Sequence, residues 1–192
     1  TEMAFLRQTA ELDTHTFFFL RPGSSILVRL LKTESTPAAS LENARIAGNA
    51  LLRELRQYKI GAVTLRNTCE EDRSLAFAEG MALGSYQFLK YFSKPEQKEK
   101  ALTDIRLENA AEEAVGELNA LLEAVFLARD LVNEPYSFLD APRMAELTTE
   151  AAQKFGFGIE ILGKEKIEAL KMGGILAVSQ GSIAPPHFCI LD

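Results

Sequence analysis

The chain has 192 residues, 47% of them hydrophobic and 25% charged, a globular composition that excludes disorder and fibrous architectures. Lys and Arg number 21 against 27 Asp and Glu, and no stretch clusters basic residues with aromatics as a phosphate-tracking surface requires, so nucleic acid is not expected as a partner. The longest apolar runs, near Phe17 to Leu20 and Ile26 to Leu31, are broken by Arg21, Pro22 and Arg29 and fall short of the roughly 20 residues that cross a bilayer. No membrane segment is therefore predicted; Thr1-Glu2-Met3 opens no leader pattern, and a cytoplasmic location is expected.

In chain order, Phe17-Phe18-Phe19-Leu20 and Ile26 to Leu31 read as two strands joined by a turn at Pro22-Gly23-Ser24. Ser40 is a plausible N-cap for a helix whose face carries Leu41, Ala44, Gly48, Leu51, Leu55 and Tyr58, expected to lie on a sheet. Ile60 to Leu65 has the pattern of a third strand, and the acidic Glu70-Glu71-Asp72 suits the positive end of a helix running to about Tyr91. Its packing stripe is read as Leu75, Ala78, Ala82, Ser85, Leu89 and Phe92, with Gly80 and Gly84 placed where a neighbouring backbone can approach closely. A strand at Ile105-Arg106-Leu107 would complete an amino-terminal α/β domain over residues 1–108.

Asn109-Ala110-Ala111-Glu112 has the form of a capping box opening a long linking helix, residues 109–134, with Ala111, Val115, Leu118, Leu122, Val125 and Val132 at helical spacing and Pro135 as its stop. Beyond it, Asp140 can cap a helix carrying Met144, Thr148, Ala151 and Phe155 and ended by Gly156. A strand over Phe157 to Leu162, a short helix over Lys164 to Lys171, and strands at Ile175 to Val178 and His187 to Leu191 follow. Residues 135–192 are few for a self-sufficient α/β domain and are expected to be the truncated start of a larger one.

Candidate chemistry is sparse. His15 and His187 each stand alone, without the paired spacing that assembles a metal site on one helix face. Cys69 and Cys189 are far apart and read as ordinary thiols, and Glu70-Glu71-Asp72 lacks the alternating ligands and turn glycine of a calcium loop. Ala177-Val178-Ser179-Gln180-Gly181 nearly matches a nucleophile elbow, but alanine replaces its first glycine and Pro185-Pro186 blocks a helical continuation, which argues against a Ser179 nucleophile. Gly156-Phe157-Gly158 precedes a strand instead of opening a helix, the wrong context for a dinucleotide.

Two blocks carry a resemblance. Ala128-Arg129-Asp130-Leu131-Val132-Asn133-Glu134-Pro135, and Met172-Gly173-Gly174-Ile175-Leu176-Ala177-Val178-Ser179-Gln180-Gly181-Ser182 with Pro185-Pro186, resemble segments of the leucyl aminopeptidase (cytosol aminopeptidase) family in order and spacing. Glu79-Gly80 with Leu83 to Phe88 is similar to a helix late in that family's amino-terminal domain, so the resemblance covers residues 75–192 and residues 1–74 only loosely. Tyr136-Ser137-Phe138 departs from the family's Pro-Asn-containing segment.

The resemblance implies an α/β fold: an amino-terminal domain with a mixed sheet flanked by helices, a linking helix, and a catalytic domain. It further implies a homo-oligomeric exopeptidase in which two divalent metal ions, zinc or manganese, activate water to remove amino-terminal residues from peptides. The family's ligands lie in a glycine-rich Lys/Asp segment and an Asn-Thr-Asp-Ala-Glu-Gly-Arg signature, neither of which occurs in this chain, so no catalytic, cofactor-binding or metal-binding residue is assigned to any position. The expectation is an amino-terminal fragment that is inactive by itself; the alternative is a noncatalytic α/β module for binding or oligomerisation.

Overall fold

A computed structural model describes residues 16–21, 24–29, 31, 34–66, 70–98 and 102–192. Two compact units divide the chain, Thr1–Leu127 and Ala128–Asp192. Helices accompany three two-stranded sheets among the described residues, so the α/β class holds.

In the first unit, β1 (Thr16–Arg21) pairs antiparallel with β2 (Ser24–Arg29), Phe17 opposite Val28; Pro22 and Gly23 of the predicted turn lie outside the described residues. Helix α1 spans Pro37–Gln57, and its cap is Thr36, whose hydroxyl accepts from the Ala39 amide at 3.2 Å; Pro37, locked near helical φ, takes the first position. The expected cap, Ser40, instead lies buried inside the helix and accepts from the Glu34 amide at 2.9 Å. After β3 (Ala62–Leu65) comes α2 (Glu71–Ser85), which ends six residues before the expected Tyr91, at a Tyr86 in extended backbone. Strand β4 (Asp104–Leu107) lies parallel to β3, Val63 opposite Ile105.

The core of this unit is the crossing of α1 and α2. Ala44, Ala47, Leu51, Leu52 and Leu55 from α1 meet Ala76, Phe77 and Met81 from α2, with Leu102 buried beside them. Leu27, Val63, Leu65 and Ile105 of the strands, with Leu31, pack against this cluster. Tyr58, expected on the packed face, is exposed. The buried face of α2 is Ser74, Ala76, Phe77, Ala78, Gly80 and Met81, rotated from the expected stripe, of which only Ala78 is buried.

Glycine makes the crossing close. A Cβ built on Gly80 would stand 2.0 Å from the Arg45 carbonyl oxygen, and one on Gly48 would stand 2.1 Å from that of Phe77. At Gly84 the obstacle is the Asn49 side chain, at 2.1 Å. Arg45 Nε donates to Glu79 Oε2 at 2.8 Å across the same crossing.

Helix α3 runs Glu112–Asn133, and its start is built differently from the expected capping box. Asn109 has φ 65, a left-handed turn conformation that asparagine tolerates and an N-cap does not use. The Ala111 amide donates to Glu71 Oε1 at 2.6 Å, so a carboxylate from α2 serves the beginning of α3. Val115, Leu118, Leu122 and Val125 are half-buried as their spacing suggested, whereas Ala111 and Val132 are exposed.

The second unit starts within α3. Helix α4 (Ala141–Phe155) is capped as expected: Asp140 Oδ1 accepts from the Arg143 amide at 2.9 Å, and Gly156, at φ 78, closes the other end with its amide on the Ala152 carbonyl. Its buried residues are Ala145 and Ala152, while Met144 and Phe155 of the expected face are exposed. Strands β5 (Ile159–Leu162) and β6 (Phe188–Leu191) pair antiparallel, with Ile159 opposite Leu191. Between them lie α5 (Lys164–Ala169) and α6 (Gly173–Ser179). The latter corrects the expected strand at Ile175 to Val178. A short apolar run does not distinguish strand from helix by period, and here the Ile175 and Leu176 amides turn back onto the Met172 carbonyl.

Candidate functional site

Both sequence blocks that carry the resemblance fall in the second unit. The first ends α3, where Asn133 Nδ2 donates to the Arg129 carbonyl at 2.8 Å and Pro135 offers its carbonyl to the amides of Phe138 and Leu139, both at 2.9 Å. The second forms α6 and the loop after it. Tyr136, just past the first block, has its hydroxyl 3.2 Å from the Ser182 hydroxyl, so the structure brings the ends of the two blocks together.

Ser179 closes α6 and donates its hydroxyl to the Leu176 carbonyl at 2.9 Å, a hydrogen bond within its own helix. A nucleophile elbow places its serine between a strand and the start of a helix, and this serine ends one. Treatment with a fluorophosphonate should therefore leave Ser179 unlabelled in peptide mass spectra, and a stoichiometric adduct there would overturn that placement.

His187 Nδ1 is 3.1 Å from the Pro185 carbonyl oxygen, a local contact. Gly158 does not cradle a phosphate; its backbone exchanges hydrogen bonds with Asp192 at 2.8 and 3.0 Å, lengthening the β5–β6 ladder. Of the acidic run, Glu71 is spent on the Ala111 amide. Cys189 is a half-buried free thiol, and His15 and Cys69 lie outside the described residues.

Where β3 and β4 end, Arg66 Nε donates to Glu108 Oε2 at 2.6 Å and a second guanidinium nitrogen reaches Oε1 at 3.3 Å. That hydrogen bond holds the Glu108 carboxyl below its ordinary range and raises the Arg66 guanidinium. What Glu108 contributes is present above the usual carboxylate pKa and lost as pH falls through the lowered one, and because the pair is exposed that contribution is small. Arg143 is likewise raised, chiefly by its hydrogen bond to Glu146.

After α2, two lysines lie against aromatic rings of the same segment. Lys98 Nζ lies 4.2 Å from the Phe92 ring centroid and Lys90 Nζ 5.4 Å from that of Tyr91. These cations sit on rings of their own segment, a cation–π arrangement that needs no nucleic acid to account for it.

Among the described residues, no three His, Cys, Asp or Glu side chains gather as they must around one ion. The donors among the described residues do not fit a two-metal centre. No helix among the described residues is long and apolar enough to cross a membrane.

The catalytic-domain model of the cytosol aminopeptidase family matches residues 126–192, which take in both blocks. A probable cytosol aminopeptidase of Persephonella marina is 30% identical over 177 residues, 86% of this chain and 36% of its own length; one of Alkaliphilus metalliredigens is 34% identical over 194 residues, 94% of this chain and 38% of its own. The chain belongs to the cytosol aminopeptidase family. A solved structure of the bottromycin maturation enzyme BotP in complex with Mn superposes with a TM-score of 0.76 at 26% identity, covering 98% of this chain and 41% of that one. A tomato leucine aminopeptidase has the same fold, with a TM-score of 0.76 at 21% identity over 98% of this chain and 40% of its own. The chain thus spans about a third of the length of the family members it matches.

Within the family, the likeness extends past the two blocks into the first unit. Coverage of 94% in sequence and 98% in structure takes in α1 and α2, the region whose resemblance was weakest by motif.

Proposed function

We propose that this chain is the amino-terminal part of a cytoplasmic two-metal aminopeptidase that removes amino-terminal residues from peptides, and that the 192 residues alone do not catalyse. The observation that carries the proposal is the match of residues 126–192 to the family's catalytic domain, in a chain covering 36% of a relative's length. In such a peptidase, two divalent ions, zinc or manganese, supply Lewis acidity and a water nucleophile near neutral pH. The residues here do structural work. Residues 1–108 form the amino-terminal domain and residues 109–134 the linking helix, whose last turns already fall within the catalytic-domain match, and residues 135–192 carry the start of the catalytic domain onward. The reading frame beyond Asp192 tests this assignment. Continuation into the glycine-rich Lys/Asp segment supports it, whereas a stop codon would favour the noncatalytic module for binding or oligomerisation.

Association of copies belongs to the same proposal. In the second unit only Ala145, Ala152, Leu162 and Ile167 are buried hydrophobics, while Val132, Tyr136, Leu170, Val178, Ile183 and Leu191 are all more than half exposed. Apolar surface of that kind favours self-association. Sedimentation of the 192-residue chain should show mass rising with concentration, and a version ending at Glu134 should show less. Identical monomeric behaviour of both would mean that residues 135–192 do not drive association.

A further inference from the structure

We draw no further inference here: the strongest candidate, the exposed apolar surface around β6, Val178 and Ile183 in the second unit, belongs to the association already proposed, and nothing in the structure shows what else covers it.

Discussion

Replacing Gly80 by alanine should destabilise the first unit by about 3 kcal/mol, at the upper end of what overpacking a helix contact costs. The added Cβ would meet the Arg45 carbonyl oxygen at 2.0 Å, about an ångström inside the closest approach that real Cβ atoms show. A backbone oxygen cannot rotate aside as a side chain can. The two helices must separate, loosening Leu52 and Met81, which are 1% and 0% exposed. The helix propensity gained by alanine, roughly 1 kcal/mol, does not offset this. Gly84→Ala should cost less, because the Asn49 amide at 2.1 Å ends a side chain that can swing away. Gly116→Ala in α3, where nothing lies within 4 Å, should stabilise by about 1 kcal/mol. Urea unfolding followed by circular dichroism gives the sizes, and amide exchange over α1 and α2 places the effect. Equal stabilities for Gly80→Ala and the parent chain would mean that the helices do not cross this closely.

Ile167→Ala should cost the second unit about 3 kcal/mol, within the span measured for large-to-small core changes. Ile167 is 0% exposed, and Leu162 is the one other large hydrophobic side chain counted as buried in this unit. With so few such residues, a cavity cannot be refilled from behind, and a loss of that size is a large share of a small unit's margin of stability. Amide protection should fall across α5 and β5 and stay unchanged across α1 and α2. Uniform loss of protection along the chain would show instead that the two units unfold together.

The parts legible in the sequence are those where one residue type has one physical use. Asp140 ahead of α4 and Gly156 behind it were readable as caps, because an N-cap wants a side-chain acceptor and a left-handed closing residue wants no Cβ. Gly80 and Gly84, four apart on a helix, foretold the close crossing. The sequence misleads where a residue serves two purposes. Asparagine favours both N-caps and left-handed turns, and Asn109 takes the second. Thr36 and Ser40 can each cap, and the deciding signal was Pro37 at the first helical position. The buried face of α2 is not legible because Leu75, Ala76, Phe77, Ala78, Met81 and Ala82 leave the helix apolar on several sides, so periodicity does not select a face.

The site divides in the same way. Against a Ser179 nucleophile the sequence offers the missing glycine and the following prolines, and the structure adds that the serine ends a helix, a context hidden by reading Ile175 to Val178 as a strand. The Tyr136 to Ser182 contact was not legible, because it joins positions 46 residues apart through a loop whose path no local pattern specifies.

Hydrolysis of leucyl p-nitroanilide, with and without added manganese or zinc, tests the central claim most directly when the 192-residue chain is assayed beside the product of the complete reading frame. The expected result is metal-dependent turnover by the longer protein and none by the 192 residues, even at high enzyme concentration, since residues 1–192 gather no ion-binding set among those described. Turnover by the purified 192-residue chain that chelator abolishes and metal restores would contradict the account, as would a longer protein that binds the ions and leaves every amino-terminal peptide bond intact.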